Sequence, residues 1–105
     1  MFKTMFFLYR RPDLDAEAFQ SYSRGVHVPL VAEVPGLKHY VINHLVANPS
    51  GANACDAVAE LWFDSAESFQ HALTTEEGAA ALNDQPNYLD MNRTHVPIVD
   101  ETTVV

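Results

Sequence analysis

One cysteine, four scattered glycines and six basic residues set the first limits on this chain. With Cys55 alone, no internal disulfide can form and no Cys-rich zinc site can be built. The glycines are too dispersed for a phosphate-cradling loop. Six lysines and arginines against fourteen acidic residues leave a net charge of −8. That argues against nucleic acid, whose binding needs cations to displace phosphate counterions. The one basic pair, Arg10-Arg11, reads as a solvated strand end. No run approaches the ~20 apolar residues that cross a bilayer, so no membrane partner is expected. The opening MFKTMFFLY lacks the apolar stretch and cleavage site of a signal peptide. The expected location is cytoplasmic.

What is present is a core. Hydrophobic residues make up 48% and charged residues 19%, a balance that excludes a disordered chain. The 105 residues are expected to form one domain spanning 1–105. Phe2 to Tyr9 reads as a strand buried on both faces, with Phe2, Phe6 and Leu8 on one and Met5, Phe7 and Tyr9 on the other. Asp15 is the expected N-cap of a helix whose inward face is Phe19, Tyr22, Val26 and Leu30. Gly25 and Pro29 predict a kink or a second segment near His27.

Leu37 to Val46 reads as the second strand, Ala47 to Ala54 as a polar loop, and Asp56 to Phe63 as the third strand. Ser65 caps a helix with Phe69, Ala72 and Leu73 inside, and Thr74 with Glu77 has capping-box spacing for a further piece through Leu82. Pro86 starts a short turn carrying Tyr88 and Leu89, and Thr94 to Val99 is the last strand, with Pro97 marking an edge or bulge.

The order β-α-β-β-α-β predicts a ferredoxin-like α+β fold. Helices cover one face of such a sheet, yet the first three strands are apolar on both. A second copy is the simplest cover for the other face, predicting a homodimer shaped as an α+β barrel.

The stretch His27 to Tyr40, HVPLVAEVPGLKHY, joins an imidazole on a helix to a phenol on the next strand through a Pro35-Gly36 turn. An imidazole with a reference pKa near ~6.5 accepts or donates a proton at neutral pH. A buried phenol can donate to an oxyanion as charge develops. His27 and Tyr40 are therefore the candidate catalytic pair. The alternatives are a helix-end histidine bonded to a carbonyl and a core tyrosine. Asp56, Val58, Glu60 and Trp62 share one face of the third strand, where Trp62 can wall a pocket and either carboxylate can orient His27 or bind substrate. Asn43 and His44 point to opposite faces, so at most one reaches the cavity. Tyr22 completes the candidate substrate contacts. His39, His71 and His95 read as surface residues, and no metal cluster is spaced along the chain.

The motifs F-x-x-Y-x-x-x-x-H over Phe19 to His27, V-P-G-L-x-x-Y over Val34 to Tyr40, and DAVAELWFDS over Asp56 to Ser65 resemble the EthD family of dimeric α+β-barrel proteins. Asn87-Tyr88-Leu89-Asp90 extends the likeness late in the chain. The resemblance implies a cofactor-independent barrel with a ligand cavity between sheet and helices, related to methylmuconolactone isomerase. Those isomerases carry a histidine and a tyrosine at the positions of His27 and Tyr40, which implies proton transfer on a small apolar carbonyl compound such as a lactone or an aromatic or ether catabolite. They also carry an additional histidine between strands two and three, which the Asn48 to Asn53 loop lacks. The family's founding members stand beside a cytochrome P450 in ether degradation. That implies, as one alternative, a non-catalytic accessory binder for a P450-type oxidase; likeness to other members of the superfamily implies another, a cofactor-free monooxygenase using Trp62 and Asn43. A haem-binding version would use one histidine as axial ligand.

Overall fold

A computed structural model describes all residues except 52 and 53. The middle of the predicted polar loop, Ala52 and Asn53, therefore lies outside the described residues. Strand β1 spans Phe2–Leu8, β2 His39–His44, β3 Ala57–Phe63 and β4 Ile98–Val99, in the sheet order β2-β3-β1-β4 with antiparallel neighbours. Helices α1 (Ala16–Tyr22), α2 (Val28–Ala32), α3 (Ala66–Leu73) and α4 (Glu76–Asp84) fill the connections, with a 3-10 turn at Gln85–Asn87. This is the ferredoxin-like α+β arrangement expected.

Several local signals act as read. The Asp15 carboxylate accepts from the Ala18 N–H at 2.8 Å and starts α1. Ser65 does the same for α3 through Ser68 N–H, at 3.1 Å. The cap of α4 is shifted by one residue from the expectation: Thr75, not Thr74, accepts from Gly78 N–H, while the Thr74 hydroxyl donates back to the His71 carbonyl. Strand β4 is shorter than Thr94 to Val99. Pro97 has no N–H to donate, although Phe7 still exchanges backbone bonds with His95 beside it. It lies at the sheet edge, as its proline requires.

Alternation along the sheet decides what faces the helices. Ala57, Ala59, Leu61 and Phe63 of β3 are buried on that side together with Leu8 of β1. Register pairs Tyr40 with Leu61 and so sends Tyr40 to the same side. The other face carries Met5, Phe7, Val41, Val58 and Trp62, all partly exposed.

Candidate functional site

His27 enters the interior through a π-helical turn. Residues Ser23–His27 form this turn, closed by a bond from the Val28 N–H to the Ser23 carbonyl. The wider turn shifts the buried register to steps of four: Phe19, Ser23, His27 and Val31 are all inside. This corrects the inward face expected from 3.6-residue periodicity, because Val26 is 42% exposed. Pro29 contributes, since its missing N–H cannot bond the carbonyl four residues back. Ser23 is further tied to β2 by a 2.9 Å bond between its hydroxyl and His44 Nε2.

Asp84, the last residue of α4, meets the imidazole. Its Oδ2 lies 2.9 Å from His27 Nδ1. Its Oδ1 accepts from the Tyr22 hydroxyl at 2.5 Å and from Asn87 Nδ2 at 3.1 Å. Burial opposes ionisation of this carboxyl, but the bonds from Tyr22, His27 and Asn87 outweigh it and hold Asp84 below the usual carboxylate range. Burial lowers the pKa of His27, against the pull of Asp84. At neutral pH the pair is therefore carboxylate and neutral imidazole. The acceptor at Nδ1 fixes the proton there, leaving Nε2 as the basic nitrogen, with no protein partner among the described residues. The Tyr88 ring lies against His27 at 4.9 Å between centroids and against Tyr22 at 5.1 Å. Its hydroxyl is buried and has no hydrogen-bond partner among the described residues.

His27 and Tyr40 line one cavity, with an empty volume of about 560 Å³ including its open mouth. The walls are apolar, from Phe6, Leu61 and Phe63 on the sheet to Phe69, Ala81 and Leu82 on the helices. Gln85, 8% exposed, joins His27 and Tyr40 as the polar part of the lining. Burial pushes the Tyr40 hydroxyl up to about 12, so it is a donor and not a base at neutral pH. Neither the Tyr40 hydroxyl nor the Gln85 amide bonds to protein among the described residues. Chemically, the arrangement offers one base and two donors in a largely apolar chamber.

The remaining expected site residues lie elsewhere. Trp62 is on the opposite face of the sheet, where its indole N–H donates to Glu101 at 3.0 Å and Lys3 Nζ lies 4.4 Å from its ring centroid. Glu60, on the same face, pairs with Lys3 at 3.0 Å and accepts from Asn43 at 3.0 Å. Asp56 caps the end of β1, accepting from the Arg10 N–H at 2.9 Å. None of these four lines the cavity: β3 presents Ala57, Ala59, Leu61 and Phe63 to the helices, which turns Trp62 and Glu60 outward. The expectation that Asp56 or Glu60 orients His27 is thus corrected to Asp84. Of Asn43 and His44, His44 takes the helix side, but it bonds Ser23 and stays outside the lining. Tyr22 is not among the lining residues and meets the site through its bond to Asp84 and its stack on Tyr88. His39, His71 and His95 are exposed as expected, and among the described residues no three His, Cys, Asp or Glu side chains are grouped to hold a metal.

Asp84 and Gln85 are not singled out along the sequence, and Asn87 and Tyr88 stand out there only within the family-like Asn87-Tyr88-Leu89-Asp90 stretch and its turn, with no role at the site. One signal for Asp84 was available. A carboxylate in the last turn of a helix opposes the helix dipole, so something else must hold it there.

A family model described as the EthD domain matches residues 11–92. An uncharacterized 11.0 kDa protein in the thcB-thcC intergenic region of Rhodococcus erythropolis is 32% identical over 101 residues, covering 93% of each chain. The crystal structure of an EthD-family protein from Bacillus halodurans is 28% identical, covers 97% of this chain and 100% of that one, and superposes with a TM-score of 0.82. A dimeric protein of unknown function and ferredoxin-like fold from Bacteroides fragilis covers 95% of both chains at a TM-score of 0.70. Its 13% identity speaks for the fold alone.

Proposed function

The chain belongs to the EthD family, and on that footing we propose that it holds a small apolar carbonyl compound in the His27–Tyr40 cavity and moves a proton on it without a cofactor. The compound is a lactone or an aromatic or ether-derived catabolite. The observation that carries this reading is the imidazole backed by Asp84 on the same apolar walls as the Tyr40 phenol, its second nitrogen and that hydroxyl bonding no protein group among the described residues. His27 Nε2 takes a proton from the carbon next to the carbonyl. The C–H electron pair becomes the enolate, and its oxygen accepts a hydrogen bond from Tyr40. The imidazolium, stabilised by Asp84, then returns the proton to another atom of the same molecule, so the net change is isomerisation or ring closure. Positioned acid–base transfer contributes roughly 10²–10⁴-fold.

A second reading has a specific observation in its favour. The lining is almost wholly apolar, which suits an accessory binder handing a ligand to a P450-type oxidase. His27→Ala separates the two. For an enzyme, turnover of a lactone or β-dicarbonyl substrate falls about 10²-fold or more while ligand affinity persists. For a binder, only affinity responds.

The same reading includes a homodimer closed over the second sheet face. Its support is the partly exposed apolar surface of Met5, Phe7, Val41 and Val58, together with the dimeric description of the Bacteroides relative. Sedimentation analysis at micromolar concentration tests it, and a monomer would overturn it.

A further inference from the structure

We propose that the cavity selects uncharged ligands: it takes neutral ketones, esters and lactones and rejects carboxylates of the same shape. This rests on the ligand-holding role proposed above and makes charge, rather than shape, the property on which the cavity discriminates.

The inference comes from what surrounds the base. Among the described residues, no lysine or arginine lines the cavity. The basic side chains near the fold's polar clusters are occupied elsewhere: Lys3 with Glu60 and Glu101 on the opposite sheet face, Arg10 with Asp56 at a strand end, Lys38 with Asp64 on the surface. The one titratable cation within reach is His27. Its proton is committed to Asp84 through Nδ1, and the 2.9 Å bond puts a full negative charge behind the ring.

An anion arriving at Nε2 would meet a lone pair, a carboxylate beyond it and apolar walls. Only two neutral donors, the Tyr40 hydroxyl and the Gln85 amide, could answer its charge. A carboxylate moved from water into such a place keeps most of its desolvation penalty. A carbonyl oxygen loses far less and is fully served by those two donors. Charge then develops on the ligand only after His27 has taken a proton, when the new imidazolium balances it. The site is therefore built to create an anion beside a cation, not to admit one. The chain's net charge of −8 acts in the same direction at longer range.

The test is calorimetric and NMR titration of the intact protein at pH 8 with matched pairs: acetophenone against benzoate, and 2-acetylnaphthalene against 2-naphthoate. Each pair differs by a methyl group in place of a charged oxygen. Binding in the cavity is read from the His27 ring signals. The ketones should bind at least tenfold more tightly than their carboxylates; a smaller ratio, or its reverse, overturns the inference. If neither member of either pair moves the His27 signals, the ligand-holding reading itself fails and the inference with it. Gln85→Lys, verified as folded by circular dichroism, supplies the missing cation and should raise carboxylate affinity at least tenfold relative to the ketone. An unchanged ratio in that variant means charge is not what the wall discriminates, and the inference falls.

Discussion

Replacing Asp84 by asparagine keeps the shape of the side chain and removes its charge. The carboxylate accepts three hydrogen bonds, from Tyr22 at 2.5 Å, His27 at 2.9 Å and Asn87 at 3.1 Å. An amide has one accepting oxygen. The least costly arrangement turns it to Tyr22 and Asn87 and presents the amide N–H to His27. The imidazole must then accept at Nδ1, and its proton moves to Nε2. Bonds to a charged group contribute about 1.5–3 kcal/mol against about 0.5–1.5 for neutral ones, so the exchange loses roughly 1 kcal/mol at each of the three bonds. Relief of the unfavourable charge at the end of α4 returns about 0.3–1 kcal/mol. The net loss is about 2–3 kcal/mol, each unit lowering the melting temperature by roughly 4–8 °C in a domain of this size. Function suffers more. With the proton on Nε2 the ring no longer offers a base to the cavity, and a carboxylate-to-amide change of this kind costs ~10⁴-fold in a serine-protease triad. The assay needs no substrate: long-range ¹H–¹⁵N correlation of the imidazole at pH 7 reports which nitrogen is protonated. Wild type should show the Nδ1–H tautomer and Asp84→Asn the Nε2–H tautomer. A wild-type ring that is doubly protonated at pH 7, or a variant with unchanged tautomer and melting temperature, would refute the reasoning.

Other expectations follow from the same geometry. Folding holds His27 below its ordinary 6.5 and Asp84 below 3.8. As pH falls, the unfolded chain takes up protons first at both groups. His27's contribution to stability is therefore complete above 6.5 and lost as pH drops through its folded value, with Asp84's lost in turn below 3.8. Urea midpoints should be level from pH 8 to 7 and decline from 6.5 downward, with a shallower decline between 6.5 and 4.5 in His27→Gln; an unchanged slope would remove His27 from the account. Catalysis by neutral His27 and protonated Tyr40 should rise to a plateau from a pH below 6.5 and hold until Tyr40 ionises near about 12. A bell centred at acid pH would contradict it. Tyr88→Phe removes a buried hydroxyl that has no partner, so stability should hold or gain about 1 kcal/mol. A loss of more than about 1 kcal/mol in urea denaturation would mean that the hydroxyl is satisfied after all. At Gly78, a Cβ would run into the Ala72 carbonyl oxygen of the neighbouring helix. Gly78→Ala should cost about 1–3 kcal/mol through overpacking, and a thermal melt equal to wild type would show that α3 and α4 can separate freely.

Local chemistry carried most of the fold. Period-two alternation marked three of the strands, Asp15 and Ser65 announced their helices, and Pro97 narrowed its strand to an edge or a bulge, because each acts through neighbours within a few residues. His27 and Tyr40 were legible for the same reason, as titratable side chains on predictable elements flanking one turn. Two matters lay beyond local reading. The inward face of the first helix depends on a π turn whose phase shift of one residue buries His27 and expels Val26; a 3.6-residue period cannot register it. The partner of His27 depends on which side of β3 faces the helices and on where α4 ends. Packing placed Ala57, Ala59, Leu61 and Phe63 of β3 in the interior, turning Trp62 and Glu60 away, and brought Asp84 to the imidazole from 57 positions along the chain. Carboxylates look alike in a sequence; the one that matters is chosen by the crossing of helices, a long-range event that no spacing rule encodes.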